Sequence, residues 1–349
     1  MVPFLPVLAV LISMMTSGFA LLRIETLTRP GFNPDRPGKP MQDAVFSFRA
    51  ASSSGVTPIY ICGVLDGHGR KGHDVAFWMR DHLPIELERC CCCQTMASAS
   101  EEEVSSLAAG LVEAYRAAQR AILKDTSIAS RSSGTTAVVA VIQPVGQEAG
   151  GTSKVLVANV GDSRAVLGVR TGRMGNLWEP NAFSVDTTTS LPEERARIEA
   201  AGGRIDDMGN VFAGPIGIAM TRALGDTVMA SVGVLPDPLV QSHDLPAKKN
   251  EGQRFLLLAS DGIFGVLSDQ EAVDIIGAAL DEHGSSKDER SEGWRRVHED
   301  QGSGEGQDAW SASLRNALKR LACAAADKWQ DGLPVEVAVD DISCILVLL

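Results

Sequence analysis

The sequence lacks an excess of basic residues. Its 349 residues include 32 lysine and arginine side chains against 44 aspartate and glutamate side chains, so the formal net charge is −12 at pH 7. Proteins that hold nucleic acid nonspecifically do so with basic surface, and this balance therefore argues against a nucleic-acid partner. A basic partner or a cation fits an acidic chain better. With 44% hydrophobic residues and 16 prolines, the chain is neither disordered nor collagen-like.

The sequence also lacks the cysteine spacings that build disulfide or zinc scaffolds. The seven cysteines are Cys62, a run of four at 90–93, Cys323 and Cys344. Neighbouring cysteines do not readily reach disulfide geometry with one another, and neither a CxxC…CxxC pattern nor a Cys/His spacing for a zinc site occurs. We interpret the run of four as a tolerated low-complexity segment, with palmitoylation or an oxidation-prone loop as alternatives.

The sequence has a single long apolar run, which lies at the N-terminus. Residues 2–22 carry no charge and end in small residues before Arg23, as a secretory signal peptide does, although a basic n-region is lacking. About 20 apolar residues could also cross a bilayer as an uncleaved anchor, and a buried N-terminal strand or helix is the third interpretation. We expect residues 1–22 to be a signal peptide or membrane anchor that gives membrane contact through residues 2–22. The protein would then be secretory, extracellular or membrane-anchored, with a cytoplasmic location as the alternative.

The rest of the chain contains apolar strand-like runs and amphipathic helical patterns. A Pro/Gly-rich stretch predicts a linker over residues 23–38, so the folded unit should cover residues 39–349 with a polar insertion at about 283–308. Runs of Val, Ile and Leu predict strands at 44–48, 59–65, 135–142, 154–160, 164–169, 255–259 and 342–349.

Helices are predicted between groups of these strands. Apolar residues at three- and four-residue steps predict helices over 104–122 and 314–325. Capping-box patterns, Ser190 with Glu193 and Ser268 with Glu271, predict two further helix starts. Strands in runs with helices gathered between them favour an α+β layered fold over a doubly wound one.

Three apolar strands end or begin in carboxylates. ICGVLD reaches Asp66, FLLLASD reaches Asp261, and DDISCILVLL begins at Asp340. A carboxylate at the end of a buried strand is unfavourable unless it is paired or bound to metal, so three together would attract a hard divalent cation. A single Asp-Gly after a strand is ordinarily a turn signal. Gly67 lets its carbonyl approach an ion because it has no Cβ, and His68 beside it could carry a proton near neutral pH.

The order of the motifs resembles one known family. Over residues 39–349 the chain is similar to the metal-dependent serine/threonine protein phosphatases of type 2C, the PPM family. The matching motifs are KPMQDA (39–44), VLDGHGRKG (64–72), SSGTTAVVAVI (132–142), VANVGDSRAVL (157–167), PEERARIEAAGGRI (192–205), GIAMTRALGD (217–226), GVLPDPLV (233–240), LLLASDGIFGVLS (256–268) and DDISCILV (340–347). Any one of them is weak, whereas nine in the family's order are highly specific.

The resemblance implies a fold and a metal centre. The fold is a β-sandwich of two antiparallel sheets flanked by helices, in four αββα layers, with two Mg²⁺ or Mn²⁺ ions per active site. By analogy Asp66 would bridge both ions and the Gly67 carbonyl would serve one, while Asp261 and Asp340 would hold the other. Asp43 would order metal-bound waters. We expect a monomer with phosphoprotein substrates.

The resemblance also implies a reaction, the hydrolysis of phosphoserine and phosphothreonine in proteins. A water between the two cations would lose a proton near neutral pH and attack phosphorus in line. His68 would protonate the leaving seryl or threonyl oxygen.

The sequence departs from the family pattern at several positions. Gln42 replaces an acidic residue, and the family's phosphate-gripping arginine has no match in register, which leaves Arg36 or Lys39 as substitutes. Gly265 stands where many members have a carboxylate for a third ion, so Asp162 would remain alone for that ion.

Two other interpretations stay open. One is a catalytically weak relative that acts as a phosphoprotein-binding regulatory module, although such a protein has no chemical need for the complete set of site residues. The other is a secreted structural protein whose aspartates bind Ca²⁺, which leaves His68 and the motif order unexplained.

Overall fold

Two five-stranded antiparallel sheets lie at the centre of the molecule. The structure is a computed structural model that describes residues 22–34, 36–50, 58–91, 100–144, 153–171, 177–245, 253–285, 304–331 and 338–349. The strands are β1 (Arg23–Arg29), β2 (Ala44–Ala50), β3 (Ile59–Leu65), β4 (Gly67–Gly69), β5 (Ser133–Thr135), β6 (Ala137–Gln143), β7 (Ser153–Val160), β8 (Arg164–Thr171), β9 (Leu177–Ala182), β10 (Arg204–Ile205), β11 (Val211–Ala213), β12 (Ile216–Ile218), β13 (Leu224–Gly225), β14 (Leu239–Leu245), β15 (Arg254–Ala259) and β16 (Ile342–Leu348). The helices are α1 (Gly72–Cys91), α2 (Glu101–Ile122), α3 (Pro192–Ala200), α4 (Asp261–Phe264), α5 (Asp269–Ser285) and α6 (Gly304–Gln330).

The two large sheets pack face to face, and helices cover their outer faces. The first sheet has the order β14-β7-β6-β3-β2, and the second has the order β1-β16-β15-β8-β9. Strands β3, β6, β15 and β16 are buried along their whole length because they are central and covered on both sides. Helices α1 and α2 pack on the first sheet, and α5 and α6 pack on the second. The predicted α+β sandwich is therefore confirmed.

The prediction of a linker over residues 23–38 is wrong for the N-terminal part of that range. Residues Arg23–Arg29 form β1, which pairs with β16 from Arg23↔Leu348 to Arg29↔Ile342. Ile24 and Leu27 are the apolar residues of this strand, and the others are charged or polar. Ile24 packs against the core between the two large sheets, and Leu27 packs against the core under α5 and α6, so both hold the strand in place. Beyond β1 the chain has no regular strand up to β2, although Phe32 forms an isolated bridge with Val339.

Two of the predicted helix starts have different outcomes. At α5, Ser268 and Glu271 form the predicted capping box, since the Glu271 amide donates to Ser268 Oγ and the Ser268 amide to Glu271 Oε2. At α3 the predicted box is wrong, because the helix is preceded by Leu191 and has no side-chain cap. Pro192 supplies a helix-compatible start, and Ser190 Oγ is hydrogen-bonded to Thr188 instead.

Several predictions fall wholly or partly outside the described residues. Residues 1–21, residues 92–93 of the cysteine run and the centre of the segment 283–308 lie outside. Helices α5 and α6 make both ends of that last segment helical. Cys62 and Cys344 are fully buried on β3 and β16. In the described part of the chain, no helix is long and apolar enough to cross a membrane.

Two smaller units flank the functional end of the sandwich. Strands β10, β11 and β12 form a three-stranded sheet, which packs with α3 around a core of its own. We refer to residues 183–238 as the flap. Strands β13, β5 and β4 form a second three-stranded sheet, called here the site sheet. Its strand β4 directly follows Asp66 in the chain.

Candidate active site

Strand register brings the predicted carboxylates to one end of the sandwich. In the first sheet Ala44 pairs with Leu65, so Asp43 before β2 lies next to Asp66 after β3. In the second sheet Ala259 pairs with Cys344, so the end of β15 lies beside the start of β16 and places Asp261 near the Asp340 segment. The two ends are joined by hydrogen bonds.

Hydrogen bonds between the sheets fix this end. Ser260 Oγ donates to Asp43 Oδ2 at 2.9 Å, and the Gln42 amide donates to Asp341 Oδ2 at 2.8 Å. Asp341 Oδ1 accepts a second bond from the Gly31 amide at 2.7 Å. Both oxygens of Asp341 are therefore used to hold the chain, which leaves its neighbour Asp340 for chemistry.

The grouped carboxylates raise one another's pKa. Burial, followed by the charges of Asp261 and Asp43, raises the pKa of Asp66 well above its ordinary value. Burial, with the charge of Asp340, raises the pKa of Asp261. Burial and then the charge of Asp341 raise the pKa of Asp43 to about 7. A bound cation would lower all three pKa values.

The donor set fits a divalent cation. Asp43 Oδ1, Asp162 Oδ1 and Asp261 Oδ1 are buried without a hydrogen-bond partner among the described residues. Buried carboxylate oxygens require a partner, and oxygen is the ligand that Mg²⁺ and Mn²⁺ prefer. Within the same described ranges, no three acidic, histidine or cysteine side chains converge on one point in ligating geometry. The residues are therefore neighbours with the right chemistry, without being locked around an ion.

Backbone packing explains the glycine and glutamine of this end. A Cβ on Gly67 would lie 2.5 Å from the Gln42 carbonyl oxygen and 2.6 Å from that of Gly72, so no other residue fits. The Gln42 side-chain amide donates to the Gly69 carbonyl at 2.9 Å. Gln42, which replaces an acidic residue of the family pattern, therefore braces the DGHG turn.

His68 lies on β4, the strand of the site sheet that directly follows Asp66. Its side chain is 20% exposed, and Nε2 contacts the Oδ2 atom of Asp226. Burial lowers the pKa of His68, but the charge of Asp226 and the hydrogen bond to it outweigh burial and raise that pKa overall. Asp226 is the residue of this site that the sequence analysis did not assign.

The two candidate phosphate-binding cations are in different positions. Lys39 Nζ lies 3.4 Å from Asp340 Oδ1 and 3.8 Å from Asp341 Oδ2, so it is part of the carboxylate group. Arg36 is exposed and lines a cleft of about 140 Å³ next to Asp340, together with Phe32 and Trp329. Lys39 is the better placed of the two.

Comparison with known proteins assigns the family. The family model for Protein phosphatase 2C matches residues 35–305. The chain belongs to the protein phosphatase 2C family. The match ends at the start of α6 and before β16, and it is the structure that brings Asp340 to the same end of the sandwich as Asp66 and Asp261.

Relatives with the same family name cover different parts of this phosphatase 2C chain. The chain is 36% identical over 232 residues to "Probable protein phosphatase 2C 64" of Oryza sativa subsp. japonica, which covers 63% of the chain and 49% of the relative. It is 32% identical over 301 residues to "Probable protein phosphatase 2C 72" of Arabidopsis thaliana, covering 83% of the chain and 76% of the relative. The chain thus spans about half the length of the rice relative.

Solved structures agree on the fold. "Crystal structure of a phosphatase from a pathogenic strain Toxoplasma gondii" superposes with a TM-score of 0.62 at 17% identity, over 94% of this chain and 93% of that chain. "Crystal structure of serine-threonine phosphatase 2C from Toxoplasma gondii" gives a TM-score of 0.55. At this identity the likeness concerns the fold.

The position predicted for a third ion has fewer carboxylates than the group formed by Asp43, Asp66, Asp261 and Asp340. Asp162 is buried, and burial followed by the charge of Asp261 raises its pKa to about 7. Gly265 follows α4 and carries no side chain that could join it. Next to this position Arg164 pairs with Asp186 and lies over the Phe264 ring at 4.9 Å. Asp162 as the single carboxylate of a third ion stays a prediction.

Sequence reasoning missed residues whose role depends on distant partners. Ser260 and Asp341 join the two sheets, and Asp226 reaches His68 across 158 residues of sequence. Asp226 ends the phosphatase 2C motif GIAMTRALGD. It has a φ of 41°, the one positive value among the described non-glycine residues, but a backbone angle leaves no trace in the sequence.

Proposed function

We propose that this protein is a metal-dependent phosphatase that hydrolyses phosphoserine and phosphothreonine in proteins. The observation that carries the proposal is the meeting of Asp66 and Asp261 beside His68: the two carboxylates follow strands of two different sheets, and the charge of Asp261 raises the pKa of Asp66. Paired buried carboxylates with a histidine are the arrangement expected of a metal-assisted hydrolase. Membership of the phosphatase 2C family supports the same reaction.

We assign the cation ligands residue by residue. Asp66 and the Gly67 carbonyl, with Asp261 and Asp340, would hold two Mg²⁺ or Mn²⁺ ions, while Asp43, fixed by Ser260, would orient waters around them. Such ions, when bound, polarise phosphate oxygens and lower the pKa of water to near neutrality. Whether Asp162 holds a third ion is a separate question.

The chain's own side chains then bind the phosphate and serve the leaving group. Lys39 supplies a positive point charge for a phosphate oxygen, without the two-pronged geometry of arginine. His68 holds a proton and gives it to the seryl or threonyl oxygen as the bond from that oxygen to phosphorus breaks. An alkoxide is a poor leaving group, so the proton contributes most with these substrates.

The first experiment tests metal dependence and the two central carboxylates. The full chain is assayed on a phosphothreonine peptide with Mn²⁺, with Mg²⁺ and with excess EDTA. We expect EDTA to abolish hydrolysis and either ion to restore it. Asp66→Asn and Asp261→Asn should each lower kcat by about 10²-fold or more, because the lost charge is part of the catalytic group.

The control for those variants is Asp244→Asn. Asp244 is an exposed carboxylate on β14 that pairs with Lys154, away from the site. It should leave kcat unchanged, and circular-dichroism melts should show all three variants folded. Full activity in excess EDTA would refute the proposal. Tight binding of the phosphopeptide without hydrolysis in Mn²⁺ or Mg²⁺ would favour a phosphoprotein-binding module instead.

A further inference from the structure

We propose that Asp226 is the positioning residue of His68. Its carboxylate accepts the Nε2 proton and thereby leaves Nδ1 as the nitrogen that serves the substrate's leaving oxygen. The inference rests on the proposed function, because it assigns a role within the same reaction. It concerns a residue that binds neither phosphate nor cation in the assignment above.

The contact between the two side chains is nearly closed to solvent. Asp226 has a side-chain exposure of 1%, and its Oδ2 atom faces His68 Nε2. His68 Nδ1 is buried and has no hydrogen-bond partner among the described residues. A histidine ring held at one nitrogen presents the other in a fixed direction. Nδ1 is therefore the ring nitrogen that the contact with Asp226 leaves without a partner.

The site sheet is built so that this contact can form. Gly134 on β5 lies between His68 on β4 and Gly225 on β13, in register with both. A Cβ on Gly134 would lie 2.1 Å from Asp226 Oδ2. The missing side chain at position 134 is therefore what leaves room for the carboxylate beside the ring.

The backbone around Asp226 is held in an uncommon conformation. Its φ of 41° is in the left-handed region, which aspartate and asparagine tolerate better than most residues. Three hydrogen bonds to the backbone fix the segment. The Gln119 side chain makes two of them, since its Nε2 donates to the Gly225 carbonyl and its Oε1 accepts from the Gly225 amide. In the third, the Asp226 amide donates to the Ser133 carbonyl. A conformation maintained by this many bonds indicates a position that matters for function.

Asp226 also differs from the carboxylates assigned to the ions. Those four residues lie at the ends of β2, β3, β15 and β16, whereas Asp226 follows β13 of the site sheet and contacts the His68 ring. An aspartate that orients a catalytic histidine is a recurring arrangement in hydrolases.

The test compares Asp226→Asn with the wild-type full chain in Mn²⁺ on two substrates. Asparagine has the same shape and tolerates the same φ, so the fold should remain. We expect kcat on the phosphothreonine peptide to fall about 10²-fold with KM nearly unchanged, as for loss of an oriented general acid. Hydrolysis of p-nitrophenyl phosphate should change far less, because its phenolate leaves without a proton.

A spectroscopic readout gives the position of the proton without relying on activity. In the metal-free chain labelled with ¹⁵N-histidine, His68 should show a proton on Nε2 that exchanges slowly with water. That proton is present whether or not the ring is charged. In Asp226→Asn the exchange should be at least about tenfold faster, since a neutral amide is a weaker acceptor than a carboxylate.

Asp74→Asn is the matched control. Asp74 Oδ1 lies 3.2 Å from His73 Nε2 on α1, a histidine-carboxylate pair of the same kind with a half-exposed carboxylate. This variant should keep the wild-type ratio of the two substrates. Gly134→Ala is a second test, because it displaces the Asp226 carboxylate while both side chains of the pair remain. It should change the substrate ratio in the same direction as Asp226→Asn.

The outcomes separate this inference from the proposed function. A wild-type chain that hydrolyses neither substrate in Mn²⁺ would overturn the proposed function. A wild-type chain that is active, with an Asp226→Asn variant that keeps the substrate ratio and the slow Nε2 proton, would overturn the role of Asp226 alone. Equal losses on both substrates together with a lower melting temperature would show that Asp226 serves only the fold.

Discussion

Two adjacent aspartates at the start of β16 have opposite surroundings. Asp341 is 4% exposed and accepts backbone hydrogen bonds from Gly31 and Gln42, which tie two segments of chain to the strand. Asp340 has a side-chain exposure of 40% and lies beside Lys39. The same chemical group therefore has a structural role at one position and is available for a cation at the next.

We predict that neutralising the two aspartates separates stability from catalysis. Asp341→Asn should lower the free energy of unfolding by about 1–3 kcal/mol. The side-chain NH₂ group of the asparagine would face a backbone N–H donor that one carboxylate oxygen of Asp341 accepts from in the wild type. Asp340→Asn should keep or raise stability and lower kcat on the phosphothreonine peptide. Urea unfolding and the peptide assay, applied to both variants, check this. A loss of stability in Asp340→Asn with full activity would reverse the two assignments.

The strand-end argument found part of the site at the residue scale. Asp66, Asp261 and Asp340 are each visible as a carboxylate that interrupts an apolar run. Asp226 is not, because its partner His68 lies 158 residues away in the sequence and the contact depends on the glycine at position 134. Local patterns show which residues are unusual, whereas contacts across the fold decide what those residues do.

At the scale of elements, one buried glutamate organises the flap. Glu194 on α3 has a side-chain exposure of 1% and accepts hydrogen bonds from Arg197 and Arg222, each at 2.7 Å. Arg222 also donates to the Asp237 carbonyl, and the Asp237 carboxylate pairs with Arg116 on α2. This network connects α3 through the flap to the helix layer of the first sheet.

We predict that Glu194 makes the stability of the flap sensitive to acid. Burial raises its pKa, but the bonds from Arg197, Arg222 and Thr221 outweigh burial and lower the pKa to about 2. A pKa below the unfolded value means that the stabilisation is present above about pH 4.5 and is lost as pH falls towards 2. Unfolding free energies from urea titrations at pH 6 and pH 3 should differ more for wild type than for Glu194→Gln.

The control for this prediction is a carboxylate that lies in no such network. Glu199→Gln, an exposed position on the same helix, should keep the wild-type difference between the two pH values. An identical difference in Glu194→Gln would show that acid acts elsewhere in the molecule.

Element prediction failed where a tertiary partner decides the structure. β1 has few apolar residues and is a strand because β16 offers it a full register of backbone partners. Ser190 has the right spacing for a cap, yet α3 starts at Pro192. The seven predicted strands succeeded because each has a run of apolar residues that requires burial on at least one face.

At the scale of the whole molecule, the buried carboxylates couple stability to pH and to cations. Asp43 and Asp162 have pKa values of about 7, and those of Asp66 and Asp261 are raised, all chiefly through burial. A raised folded-state pKa gives a contribution that is full below about pH 4 and is lost as pH rises through 7. The metal-free protein should therefore become less stable between pH 5 and pH 8.

We predict that Mn²⁺ or Mg²⁺ restores this lost stability. A ligand that binds only the folded state raises the melting temperature, and ionised carboxylates bind a cation better than protonated ones. Melting curves in EDTA and in saturating Mn²⁺ should differ more at pH 8 than at pH 5, and Asp66→Asn should reduce the difference. Superimposable curves at pH 8 would contradict a metal site at this end of the sandwich.

The pairing of β1 with β16 also sets the order in which a newly made chain can mature. Gly31 and Asp341 are 310 residues apart in the sequence. At a synthesis rate of about 5–20 residues per second, the second partner emerges about 15–60 s after the first. The first sheet can assemble earlier, since its strands end at Leu245. Asp340, however, lies beyond Leu245 and just before β16, so a nascent chain would stay inactive until β16 has been made.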